Sequence, residues 1–267
     1  MLTLNWLQET NRKQRHEMNR FIAYFDYLGF KEFIEKNDLE YQNRIVGNNF
    51  RDMESALGQG MFKDAPHGVI ADISKSQINC INFSDTVVFF TNDTSETSLI
   101  EILEVAYKFN WQAIDFYFPV RGALVFGEMV YVDFKQNNGG GGIYNINSVY
   151  GKGLVKAHLR ADEQHWAGTV LDESFTTEIA SRGHDLDKFL LSYAKRYKVP
   201  YKTGGERANE YVLNIVKGTV NDEALKNMSK NIRDNFAQYN KSVADYRVQQ
   251  KISNTIRFLE SYYVKEE

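Results

Sequence analysis

Apolar positions along this chain alternate between short β-branched or aromatic runs and longer stretches with helical spacing. Residues 20–26, 78–83 and 86–91 are runs of the first kind and read as strands. Only Ser84 and Asp85 separate the last two, which predicts a hairpin with an acid at its tip. Residues 30–58 have helical composition, with a break expected near Gly47-Asn48-Asn49. After Ser95 and Ser98, residues Leu99, Ile102, Leu103 and Ala106 recur at i, i+3, i+4 and i+7, predicting an amphipathic helix that ends before Pro119. Strands are expected over 120–126 and 129–133. A glycine run, Gly139 to Gly142, falls in a loop before a helix over about 149–162. A strand at 168–171, helices near 173–182 and 185–195, strands around 199–202 and 210–216, and two polar amphipathic helices across 221–264 follow. Residues 4–18 predict a leading helix, and no internal repeat is visible.

This order predicts an α+β fold, a mainly antiparallel sheet with helices covering one face. It divides into a helical lead over 1–19, a main domain over 20–218 and a C-terminal helical extension over 219–267. The 267 residues suffice for such a plan, and 43% hydrophobic with 14% aromatic residues describes a packed chain. A net charge of -3 carries no electrostatic footprint for nucleic acid. Lone Cys80 excludes an intramolecular disulfide and a thiolate zinc cluster, and reads as a small buried hydrophobe. The polar start lacks the pattern of a secretory signal, and no apolar run approaches the roughly 20 residues of a membrane span. A soluble, cytoplasmic protein without a membrane or nucleic-acid partner is expected.

Familiar catalytic motifs are scarce. The glycine run lacks the Gly-Lys-Ser/Thr ending of a phosphate loop. His16, His67, His158, His165 and His184 show no ligand spacing, and no serine sits in a Gly-x-Ser-x-Gly elbow. What stands out is a pair of acids, each ending a hydrophobic run: Asp26 in Phe25-Asp26-Tyr27-Leu28-Gly29-Phe30, and Asp85 in Phe83-Ser84-Asp85-Thr86. Aspartate favours turns in any case. Yet two carboxylates on adjacent strands, with a backbone carbonyl, can hold two divalent cations that clamp a triphosphate.

These two blocks, followed in order by Val120-Arg121-Gly122-Ala123-Leu124-Val125-Phe126-Gly127 and Tyr150-Gly151-Lys152-Gly153-Leu154-Val155-Lys156-Ala157, resemble the catalytic domain of class III nucleotidyl cyclases across roughly residues 20–172. The resemblance implies a ferredoxin-like core in a cyclase domain over 20–218. It implies Asp26, Asp85 and the Tyr27 carbonyl as ligands of two Mn or Mg ions, with Phe30 in the same substrate-side block. Arg121 would lie on the triphosphate, where a guanidinium fork suits phosphate oxygens. Lys202 is a further phosphate candidate from a late strand.

Two departures from the family pattern shape the expected substrate. The family's Asn and Arg on the fourth-block helix fall at Val155 and Leu159, leaving Arg160 and Lys156 as substitutes or as solvated helix charges. The purine-reading Lys and Asp of adenylyl cyclases fall at Ile81 and Ser148, and the Glu and Cys of guanylyl cyclases are also absent there. A pocket without those hydrogen-bonding partners discriminates against purines. The chain is therefore most similar to the Pycsar pyrimidine cyclases of bacterial anti-phage defence. That similarity implies conversion of UTP or CTP to cyclic UMP or cyclic CMP, a head-to-tail homodimer and a separate effector protein activated by the product. The alternatives are a purine cyclase with an unusual pocket and a degenerate domain that binds nucleotide without turnover.

Overall fold

A computed structural model describes residues 19–264; the expected helix over 4–18 lies outside them. The chain runs through β1 (Asn19–Tyr27), α1 (Phe30–Lys36), α2 (Leu39–Gly58), β2 (Phe62–Ala65), β3 (Gly68–Ala71), β4 (Asn79–Phe83) and β5 (Thr86–Phe90). It continues through α3 (Glu96–Phe116), β6 (Val120–Glu128), β7 (Val130–Asn137), β8 (Ile143–Tyr150), α4 (Lys152–Asp162) and β9 (Gly168–Leu171). It closes with α5 (Glu173–Ser181), α6 (Leu186–Phe189), β10 (Ala194–Tyr201), β11 (Gly205–Leu213), α7 (Asp222–Ala237) and α8 (Tyr246–Glu260).

Seven strands form one sheet in the order β10-β11-β9-β6-β1-β5-β4. Only β6 and β9 pair in parallel; the other neighbours are antiparallel, as the α+β expectation required. β1 is central, and Phe21 to Phe25 are all buried. A strand buried on both sides needs cover on both sides. Helices accordingly lie on both faces rather than one. α3 packs Phe109 against Phe25 and Phe89, while α4 covers the face carrying Ile22 and Tyr24.

Gly122 allows the central strands to come this close. A Cβ there would stand 2.6 Å from the Tyr24 carbonyl oxygen and 2.7 Å from Thr169 Oγ1. Gly151 starts α4 at φ 144°, where a Cβ would lie 2.3 Å from the Glu128 carbonyl oxygen, so no L side chain fits.

Several elements differ from the sequence expectation for identifiable reasons. The break in 30–58 falls at Asn37-Asp38, because the Asp38 side chain caps α2 by accepting from the Tyr41 amide at 2.8 Å. Gly47 stays inside the helix, since α2 buries Ile45, Met53 and Ala56 and that packing outweighs a glycine's cost of about 1 kcal/mol. The helix expected over 185–195 stops at Phe189, and β10 begins at Ala194. β10 is an edge strand, which tolerates Pro200. Gly139 to Gly142 form the tip of a β7–β8 ribbon, so residues 143–150 are strand and the helix starts at Lys152. The β2–β3 hairpin was not anticipated. The two C-terminal helices bury Ile232, Phe236, Ile252, Ile256, Phe258 and Leu259 in the common core. α7 is tied to α3 by Asn235 Nδ2 donating to the Ile114 carbonyl at 3.0 Å.

Candidate functional site

Asp26 occupies the last full rung of the central strands. It lies opposite Thr86 on β5 and opposite Arg121 on β6. The β4–β5 turn is held beside it by Ser84 in the left-handed region (φ 54°) and by the Asp85 carbonyl, which accepts from the Tyr27 amide at 2.9 Å. The two acids predicted from sequence are therefore neighbours, and Asp85 acts electrostatically on Asp26.

Arg121 Nε donates to Asp26 Oδ2 at 2.8 Å, and a second nitrogen of the same fork reaches Asp162 Oδ1 at 2.7 Å. Asp162 also accepts from Lys202 Nζ at 2.7 Å. Asp26, Arg121, Asp162 and Lys202 thus form one alternating charge chain. Burial pushes the Asp26 carboxyl above the ordinary range, as do Asp85 and Asp162, while Arg121 pulls the other way. Asp162 is half-buried, yet Lys202 and Arg121 hold it below the usual carboxylate range.

Hard oxygen donors beside an acid crowded by like charge fit Mg or Mn chemistry. Asp26, Asp85 and the Tyr27 backbone carbonyl would be the donors; among the described residues no group of three or more His, Cys, Asp or Glu side chains forms a metal cage. Tyr27 can offer only its backbone, because its ring is buried and stacks on Phe30. Phe30, expected on the substrate side, is instead 9% exposed in an aromatic cluster with Phe33 and Phe118, so its side chain turns toward the core.

Next to the acids lies a groove of about 560 Å³. Ile81 and Ser148 both line it, with Tyr24, Asn82, Val155 and His158. Tyr24 is two residues before Asp26 and so shares its face of β1. Its hydroxyl bonds His158 Nδ1 at 2.9 Å and Thr86 Oγ1 at 3.3 Å. Tyr24 was readable from strand alternation; His158 needed the position of α4.

Lys156 and Arg160 turn to the other side of α4. Arg160 Nε meets Asp172 at 3.2 Å, its fork meets Glu210 at 3.2 Å, and Lys156 Nζ meets Asp172 at 2.6 Å. These groups line a different groove, of about 490 Å³, with Arg196 and Tyr211. Helical geometry explains the split: Val155 and Leu159 share the exposed face, and the next residues are rotated by about 100°. Asp162 and half-buried Lys251, which interacts electrostatically with Arg121, Lys202 and Asp26, carried no sequence signal.

No protein-family model and no curated protein sequence matches this chain. Among solved structures it is similar to the guanylate cyclase domain of RhGC from Catenaria anguillulae in complex with GTP, at 9% identity and a TM-score of 0.49, covering 74% of this chain and 96% of that one. It is similar to the adenylyl cyclase CyaB from P. aeruginosa at 11% identity and a TM-score of 0.45, covering 73% and 92%. It is also similar to the monomeric guanylyl cyclase domain of the RhoGC fusion protein from Blastocladiella emersonii at 9% identity and a TM-score of 0.45, covering 73% and 94%.

Proposed function

We propose that this protein is a pyrimidine nucleotide cyclase, converting UTP or CTP to cyclic UMP or cyclic CMP and pyrophosphate. The observation that carries the reading is the adjacency of Asp26 and Asp85, with Arg121 fastened to the first acid. Asp26, Asp85 and the Tyr27 carbonyl would hold two divalent cations, which supply charge neutralisation for the nucleophile and the leaving phosphates. The ribose 3′-hydroxyl attacks the α-phosphorus in line and gives up its proton to solvent, the 3′-O–P bond forms as the bond from the α-phosphorus to the bridging oxygen breaks, and pyrophosphate leaves. Arg121 aligns and neutralises the triphosphate, and Lys202 extends that charge. Alignment and charge stabilisation account for most of such a reaction.

The groove supports the pyrimidine choice. Ile81 offers no hydrogen bond, and Ser148 offers one small hydroxyl, where purine readers carry Lys with Asp or Glu with Cys. Around the same opening, Phe83, Tyr150, Val155 and Leu159 are exposed, an apolar rim suited to a second copy in a head-to-tail homodimer. We further propose a cytoplasmic setting in which the cyclic product activates a separate anti-phage effector. No described helix is long and apolar enough to cross a membrane.

Incubation of the purified protein with Mn²⁺ and each of ATP, GTP, CTP and UTP, followed by mass spectrometry, tests the reading. A cyclic pyrimidine monophosphate is expected. A cyclic purine product would keep the chemistry and overturn the groove argument. Val155 and Leu159, standing where the family places Asn and Arg, favour one rival, a domain that binds nucleotide without turnover. Metal-dependent triphosphate binding with no product from any of the four would establish it.

A further inference from the structure

We propose that Lys251, on the C-terminal helix α8, is a polyphosphate ligand, completing with Arg121 and Lys202 a cradle of three cations beside Asp26; this rests on the nucleotide reading above. The placement of α8 makes it possible. Thr255, fully buried, accepts from the Ala167 amide at 2.9 Å and donates to the Lys251 carbonyl at 2.8 Å. Ala167 immediately precedes Gly168, the register partner of Arg121. Asn254 Nδ2 donates to the His165 carbonyl at 2.8 Å. The His165 amide in turn bonds the Pro200 carbonyl at 2.9 Å, and the Lys202 amide bonds Glu163 O at 2.9 Å. One turn of α8, the β9 entrance and the end of β10 are therefore sewn together, and they carry Lys251, Arg121 and Lys202 to one place.

The charges there are unevenly matched. Asp162 is shared between Arg121 and Lys202, and Asp26 is taken by Arg121. Among the described residues the Lys251 ammonium makes no hydrogen bond or ion pair. Burial lowers its affinity for a proton, as do Arg121 and Lys202; Asp26 and Asp245 oppose them. His165 and Arg247 are further titratable or cationic groups on this side. A half-buried, unpaired ammonium among like charges is unfavourable by itself and becomes favourable when an anion bridges the group. A chain of linked phosphates, with several charges along its length, suits three cations better than a single carboxylate does.

The test is calorimetric binding of inorganic tripolyphosphate, and separately of pyrophosphate, with Mn²⁺ present, to the full chain and to Lys251→Ala, Lys251→Met and Lys251→Arg. Thermal melting identifies any variant that fails to fold. Binding of tripolyphosphate is expected to weaken about tenfold in Lys251→Ala and Lys251→Met and to recover in Lys251→Arg, a tenfold step being a factor of ten in Kd. Stronger dependence on Lys251 for tripolyphosphate than for pyrophosphate would assign the lysine to the substrate tail, and the reverse to the leaving product. Unchanged affinity in a folded Lys251→Ala or Lys251→Met overturns the assignment while leaving the cyclase reading intact. No binding to the unaltered chain also overturns the assignment, while the product test above decides the cyclase reading.

Discussion

Arg121 and Asp26 face each other across β6 and β1, and the arginine divides its fork between Asp26 at 2.8 Å and Asp162 at 2.7 Å. A lysine has a single ammonium and cannot span both acids in that planar geometry. Arg121→Lys is therefore expected to lower cyclic-nucleotide formation by about 10–100-fold, the range of losing one well-placed charged contact. Asp26→Asn and Asp85→Asn should each lower it by about 1000-fold or more. Far-UV circular dichroism should be unchanged in all three. Product yields close to those of the unaltered protein in both aspartate variants would remove these acids from the chemistry.

The groove residues Ile81 and Ser148 can be exchanged for purine readers without disturbing the acids. Ile81→Lys combined with Ser148→Asp should cut pyrimidine turnover and let ATP be used, shifting the ratio of the two products by about 100-fold or more. The ratio is measured by mass spectrometry in an equimolar nucleotide mixture. An unaltered ratio would place base recognition elsewhere.

Gly122→Ala brings a methyl within 2.7 Å of Phe25 Cδ1 as well as the Tyr24 oxygen and Thr169. Central strands packed on both sides cannot yield easily. A loss of about 1–3 kcal/mol is expected, read as a lowered midpoint in urea with the slope unchanged. A midpoint equal to that of the unaltered protein would mean the strands separate freely.

Asp52, 8% exposed on α2, is pushed up from 3.8 to about 7 by burial. Between those values the folded chain keeps a proton that the unfolded chain has lost. Its contribution to stability is therefore full below the lower value and falls as pH rises toward 7. Asp52→Asn should remove that fall, raising Tm at pH 8 by roughly 2–8 °C for about 1–2 kcal/mol and leaving Tm at pH 4 nearly unchanged. Parallel Tm profiles for the two proteins across pH 4–8 would refute it.

The two acids were legible because they lie in local sequence. Asp26 and Asp85 each end a β-forming run, and two residues of turn suffice to set the second beside the first. β9 was found at its observed bounds of Gly168–Leu171, since a short apolar run bounded by turn signals has few alternatives. What escaped depends on tertiary packing. Lys156 and Arg160 look like substitutes by position, but a single residue of helical rotation carries them to Asp172 and Glu210. Phe30 belongs to the right block, yet its ring is drawn into the aromatic core. Asp162 and Lys251 reach the charge chain only through the docking of α4 and α8, contacts that no local pattern encodes.

The β4–β5 hairpin carries Ile81 and Asp85 only four positions apart, on strands pinned by a two-residue turn and by the bond from Tyr27 to Asp85. The groove wall and the Asp85 corner are thus mounted on one lever. A slip of the ladder by a single residue would reverse the side on which Ile81 projects and displace the acid in the same movement. An insertion that reshaped the groove wall would therefore also displace the Asp85 corner, whereas an exchange of the Ile81 side chain would leave that frame in place.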